Sequence, residues 1–429
     1  MPEEIKSSGA GVQLGNVEIT CLAFLDDYVT PTRNPRVIDG VLETLREYGN
    51  RWDVHWAIKK FRVLCYGIPA GDQGWTYEGS PVLATDHHKY LGVTHSTKKP
   101  YWVTHLTEKL GVAIFVLFGL RAAGLIGGRN APGAALGVVR SMVWQVLDYG
   151  RATAPSDTRG HAQIRNKLEA FQLKTLREIL GLSSSAPILA VYGESGDLPD
   201  IWRERRKQLQ IAFQMLSSPQ TSLPRKVARE ADTAVPKVGL FLRVSEILAN
   251  HGGTQLRIED FKSKTEIRRW IDRAAEAEWR RGIAQSSRLT STYRSSTELR
   301  LRGYLKSDFR GRQTLTKFRA DDLELEAASY RGRGGSYVAF CSTCQAQDCV
   351  ETRAHFALQC EALTSVRNKH ENIVRMIKNS RSERALATLL LAHPNDAADD
   401  TKKAEDVGAF LQDIWEERAR VRGVYVKPQ

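Results

Sequence analysis

Over the first hundred residues apolar positions come in short alternating bursts. "GVQL", the pair Gly15–Asn16 and "VEITCLAF" predict a β-hairpin, since β-branched residues flank a Gly/Asn turn. The next apolar stretch, "CLAFLDDYVT", is broken by two adjacent aspartates, Asp26 and Asp27. The period then changes: in "NPRVIDGVLETLREYGNRW", Val37, Ile38, Val41, Leu42 and Leu45 recur at helical spacing, behind Asn34 as cap and Pro35 at the first helical position. Short strands follow in "RVLCYG" and in "KYLGVTH" from Lys89 to His95. From Trp102 onward the helical period dominates. "SMVWQVLDYG" and "NKLEAFQLKTLREILGL" are amphipathic, the second ending at Gly181 as a C-cap. "SSSAP" (Ser183 to Pro187) and "SSPQTSLPRK" (Ser217 to Lys226) predict loops. The run "LGVAIFVLFGL" from Leu110 to Leu120 stops at Arg121, too short to cross a bilayer, and predicts a buried helix with no membrane partner. The pattern as a whole predicts an α+β, mainly helical protein.

Charge changes the picture. The 429 residues carry a formal net charge of +13, which favours a polyanionic partner, with RNA or DNA first. The excess is concentrated in the helix "EIRRWIDRAAEAEWRRG" (Glu266 to Gly282), which has a dense basic face, and between Arg294 and Arg319. In the latter, Arg300, Arg302, Lys306, Arg310, Arg312 and Lys317 are interleaved with Tyr293, Tyr304 and Phe309. Phosphate contacts from such cations combined with base stacking on aromatics would hold a single strand; a solvated surface is the alternative, and the acidic run from Asp321 partly offsets the charge. "YRGRGGSY" (Tyr330 to Tyr337) reads as a hinge. The N-terminus "MPEEIKSSGAG" lacks a signal-peptide pattern, so a nuclear or cytoplasmic, not secreted, protein is expected.

Two sets of residues carry candidate chemistry. Four of the six cysteines crowd into "CSTCQAQDCVETRAHFALQC". Cys341, Cys344, His355 and Cys360 give C-x2-C-x10-H-x4-C, which can close a tetrahedron of soft ligands on Zn²⁺ with no open position, hence a structural site. Cys349 is a further thiol that could replace a ligand. The second set is Asp26 and Asp27, hard oxygen ligands that suit Mg²⁺ and phosphoryl transfer. As a dipeptide they also read as ordinary turn residues. Apolar flanks weigh toward a cation, because burying unpaired carboxylates is costly. His87, His88, His95 and His105 form no ligand spacing and read as surface or structural residues.

The stretch "GVQLGNVEITCLAFLDDYVT" resembles the metal-binding hairpin in the palm of LINE-type (non-LTR) retrotransposon reverse transcriptases, whose hallmark is an aromatic, any residue and two aspartates. "WDVHWAIKKFRVLCYG" is similar to the next palm element, which implies a place for Lys59 and Lys60 near an incoming nucleotide. "HKYLGVTHSTKKPYWVTHL" resembles the segment that grips the primer, at Tyr90, Leu91 and Gly92, and the cysteine-rich region resembles the family's C-terminal zinc knuckle. The likeness runs from about residue 10 to about 365. It implies RNA-directed DNA polymerase ancestry, and a division into a partial palm (1–108), a helical thumb-like region (109–235), a basic helical connector (236–338), a zinc knuckle (339–375) and a helical tail (376–429).

Departures matter as much as the match. Only twenty-five residues precede Asp26, with Glu3, Glu4 and Glu18 the acidic ones, so the third palm carboxylate and the fingers are expected to be missing. Leu25 stands where the family has a small alanine. The expectation is a fragment or decayed copy of a reverse transcriptase, inactive alone but binding nucleic acid, with structural Zn²⁺, and Mg²⁺ only if another chain completes the palm. The alternative is a zinc-stabilised nucleic-acid-binding protein with no polymerase role.

Overall fold

The computed structural model describes residues 2–67, 74–127, 130–153, 159–234, 239–252, 256–293, 298–325, 340–346, 349–377 and 398–423. The predicted hinge at Tyr330–Tyr337 and Arg294 lie outside them. Among the described residues helices predominate and the strands form five separate two-stranded sheets, so the fold is α+β and mainly helical. Two compact units are built from interleaved segments, one from 1–113, 145–167 and 203–268, the other from 114–144, 168–202 and 269–429.

In the first unit, Val12–Leu14 and Val17–Ile19 pair around Gly15–Asn16 as expected. The strand after that turn does not continue through "TCLAF". It ends at Ile19, and Leu22–Phe24 pairs forward with Asp27–Val29 as a second hairpin. "KYLGVTH" is likewise a turn and not one strand: His87–Tyr90 and Val93–Ser96 pair antiparallel around Leu91 and Gly92, both at positive φ. The Asn34 side chain accepts from the Arg36 N–H at 3.1 Å and opens a 3-10 turn at Pro35–Val37, after which Ile38–Trp52 is helical. That helix packs Leu42 with Cys65, Trp75, Tyr77 and Val82. Strand Arg62–Leu64 pairs parallel with Leu83–Thr85 beside them.

His105 is fully buried at the start of the helix Val103–Ala122. Its Nδ1 accepts the Thr94 N–H at 3.1 Å, which requires the proton on Nε2, 2.9 Å from the Tyr149 carbonyl. The Tyr149 hydroxyl donates to the Leu91 carbonyl at 2.6 Å. These hydrogen bonds fix the His87–Ser96 hairpin against the helices.

The apolar run around Phe115 departs from expectation. It belongs to a helix of 20 residues, longer than the run itself, and Phe115 and Phe118 are 78% and 60% exposed. Only 28% of its apolar window is buried, so it is not the buried core helix predicted; by length and composition alone it could cross a membrane.

In the second unit, the helices Arg312–Arg319 and Ala398–Val421 lie close together. Glycines permit the approach: a Cβ at Gly311, whose φ is +84°, would sit 2.0 Å from the Gly408 carbonyl oxygen. The helix Lys264–Gln285 buries Ile267, Ile271, Ala275, Trp279 and Ile283, one residue every four, along a single face.

Candidate metal centre and nucleic-acid interface

Cys341 and Cys344 sit on a tight turn. The Gln345 N–H donates to the Cys341 carbonyl at 2.9 Å, with Gln345 in the left-handed region at φ +57°. The Cys341 N–H donates to the Cys349 carbonyl at 2.7 Å, and Phe340 bridges Val350, closing the knuckle. His355 and Cys360 come from a π-helical turn, His355–Gln359. The Cys360 N–H reaches back to the His355 carbonyl at 2.8 Å, an i→i+5 bond. That wider turn places two side chains five residues apart on one side, which an α-helix would not.

The four candidate ligand atoms lie within 4.8 Å of one another. Cys341 Sγ is 3.9 Å from Cys360 Sγ, and Cys344 Sγ is 3.5 Å from His355 Nε2. Tetrahedral zinc at ordinary bond lengths puts two sulfurs about 3.8 Å apart and a sulfur and nitrogen about 3.6 Å apart. The group therefore could bind a metal such as zinc. Cys349 contributes its backbone carbonyl, and its thiol is outside the group. Burial pushes the Cys341 thiol up and Cys360 up to about 12, the neighbouring thiols adding to the latter. Burial likewise holds His355 below its ordinary value, in the neutral form that ligates. Without a cation Cys341 and Cys360 are neutral thiols; a divalent ion would displace their protons.

The residues around the knuckle are not legible in the sequence as a set. Glu351 is buried and receives Arg418 Nε and Nη2 at 2.7 and 2.8 Å. Arg353 Nη1 donates to the Phe318 carbonyl at 2.9 Å and Nη2 to the Arg288 carbonyl at 2.8 Å. Phe356 packs between Phe318 and Trp415. The knuckle is thus stapled to the end of Arg312–Arg319 and to Ala398–Val421 inside one unit.

The aspartate hairpin is arranged differently from what its apolar flanks imply. The loop is Leu25–Asp26, with Leu25 at φ +52° and 82% exposed. Asp26 and Asp27 are exposed too, so no desolvation cost calls for a cation there. Asp27 does lie within electrostatic reach of the His87–Ser96 hairpin. Burial and the Arg62 charge lower His88 while Asp27 opposes them, and burial with Asp27 raises Tyr90. Tyr90 is half-buried, and Leu91 and Gly92 form the turn of that hairpin. Lys59 and Lys60 are exposed on the 3-10 turn Ile58–Lys60. Among the described residues, the cysteine–histidine cluster is the grouping of three or more ligands suited to a metal, and no third group joins Asp26 and Asp27.

The segment from Arg300 to Arg319 requires correction as a nucleic-acid path. Arg302 is 4% exposed and donates to the Gly193 carbonyl at 2.8 Å, out of reach of a phosphate. Tyr293 and Tyr304 are no stacking platforms: both are buried and donate to Glu194, at 2.5 and 2.7 Å. Arg319 Nε joins the same carboxylate at 2.9 Å. Arg310 pairs with Asp413 and Glu416 at 2.6 and 3.0 Å, and Arg312 with Asp308 at 2.7 Å. Arg300 pairs with Glu298 at 3.3 Å. Lys306 is exposed and Lys317 half-buried. Arg302 and Arg319 are thus buried, while Arg300, Arg310 and Arg312 are paired with carboxylates at the surface. Glu194 itself, in "VYGESGD", offers no sequence pattern that separates a core carboxylate from a surface one.

Compared with models of protein families and with curated proteins, the chain matches none.

Proposed function

We propose that the chain is a nucleic-acid-binding protein of LINE-type reverse-transcriptase descent, with a structural zinc knuckle at Cys341, Cys344, His355 and Cys360 and no polymerase activity of its own. The observation that carries this reading is the knuckle, whose ligand atoms converge at tetrahedral spacing in a chain of net charge +13. The zinc would be held by four protein ligands and supply folding energy, not chemistry. The order of the motifs supports the descent: an exposed aspartate pair at a hairpin tip, and a second hairpin at Tyr90–Val93 within its electrostatic reach. Mg²⁺ would bind at Asp26 and Asp27 only with a partner chain that completes the palm.

A gel shift with labelled single-stranded RNA, together with primer extension on an RNA template with Mg²⁺, tests the proposal. The expected result is salt-dependent binding that survives Asp26→Ala and fails in Cys341→Ser, with no extension product. Extension by the wild-type chain that Asp26→Ala abolishes would overturn the inactive reading. Absence of binding at low salt would overturn the binding one.

A further inference from the structure

In the Arg300–Arg319 segment Arg302 and Arg319 are buried and Arg300, Arg310 and Arg312 have carboxylate partners, so exposed cations without such partners are sought elsewhere. On the helix Lys264–Gln285, Arg269, Arg273, Arg280 and Arg281 are exposed, on the side away from the buried stripe of Ile267, Ile271, Ala275 and Trp279. Among the described residues none of the four arginines has an ion-pair partner. The helix is held in place from behind, because Trp279 Nε1 donates to the Leu189 carbonyl at 2.8 Å and its ring meets Tyr293 edge-on. Acidic side chains share the helix: Glu266 lies three residues before Arg269, Glu276 four before Arg280 and Glu278 three before Arg281. Asp272 and Glu276 are half-buried; Glu276 receives the Leu299 N–H at 3.2 Å, and burial raises its pKa while that hydrogen bond and the Arg280 charge oppose the rise. Glu278 projects about half a turn away from Arg269.

The geometry points to this arginine stripe as the phosphate-binding surface of the protein. Resting on the nucleic-acid-binding reading above, the inference assigns its main electrostatic contact to Arg269, Arg273, Arg280 and Arg281. The stripe is about 18 Å long at about 1.5 Å per residue, enough to follow several phosphates of one strand. Guanidiniums suit phosphate oxygens through paired N–H donors. An anionic membrane is a poorer fit, since a surface-seeking helix needs a free apolar face, and here that face is packed into the protein.

The test is fluorescence anisotropy of the full chain with a labelled DNA duplex across a salt series. The quadruple variant Arg269→Gln/Arg273→Gln/Arg280→Gln/Arg281→Gln should flatten the plot of log K against log salt by about 3 to 4, from about 0.9 per phosphate contact. The corresponding quadruple lysine variant, which keeps the charges, should retain the wild-type slope. A glutamine variant with an unchanged thermal midpoint and an unchanged slope would overturn this inference while leaving the binding reading intact. No binding by the wild-type chain to the duplex or to single-stranded RNA would remove both, and binding to phosphatidylserine vesicles without binding to nucleic acid would make the stripe a membrane contact instead.

Discussion

Replacing Glu194 by glutamine keeps the shape of the side chain but removes a charge on which four buried groups converge. Burial works to raise the pKa of Glu194, yet Arg319 and Arg302, with the two tyrosine hydroxyls, hold it below the ordinary glutamate value. Both Glu194 and Arg319 are essentially fully buried. Removing one partner of such a pair leaves a guanidinium uncompensated and costs about 3–5 kcal/mol. For a unit of this size each kcal/mol moves the midpoint by about 2–4 °C, so a fall of roughly 6–20 °C is expected. Thermal unfolding followed by circular dichroism reads it, with Arg310→Gln as comparison. Arg310 is 55% exposed in its pairs with Asp413 and Glu416, where a loss of less than about 1 kcal/mol is expected. Because the folded pKa of Glu194 is depressed, its contribution is complete above the unfolded glutamate pKa and is lost as pH falls through the folded value. If Glu194→Gln shifts stability by no more than Arg310→Gln, the assignment of Tyr293, Arg302, Tyr304 and Arg319 to the core is wrong.

Three further outcomes follow from the same contacts. His105 has its pKa lowered first by burial, with Lys109 and His95 adding to this while the Tyr149 hydrogen bond and Glu108 oppose it; stability should therefore decline as pH falls below about 6.5, and His105→Asn should make that slope shallower in urea titrations, with His88 and His95, also lowered by burial, supplying part of the rest. Gly311→Ala should destabilise by about 2 kcal/mol or more, from positive φ and the clash with the Gly408 carbonyl, as measured by urea midpoint. Arg418→Met should cost about 3–5 kcal/mol by removing the guanidinium that faces the buried Glu351 carboxylate, and should make Ala398–Val421 more susceptible to limited proteolysis.

Local patterns with a physical mechanism are legible in the sequence. Asn34–Pro35 opens a helix, Gly181 ends one at φ +68°, and the Gly15–Asn16 turn joins two strands where the β-branched residues lie. The candidate metal ligands stand out because four thiol and imidazole groups at fixed spacing have few other uses; the π-helical turn that sets the last spacing leaves no such mark. Side-chain destination is what the chain's local pattern does not carry. Arg302, Tyr293 and Tyr304 have the composition of a nucleic-acid groove, but their partner Glu194 lies about a hundred residues away in the chain, and only tertiary packing brings them together. The same holds for the strand breaks at Thr20 and at Leu91–Gly92. A turn inside an apolar run depends on which strand offers the better partner, and that choice is not local.

The metal content of the purified chain, read by mass spectrometry under native and denaturing conditions beside Cys360→Ser and Cys349→Ser, tests the central claim most directly. The account predicts one zinc per chain in the wild type and in Cys349→Ser, lost on denaturation and strongly reduced in Cys360→Ser. No bound zinc in the wild-type chain, or loss of zinc in Cys349→Ser with retention in Cys360→Ser, would contradict it.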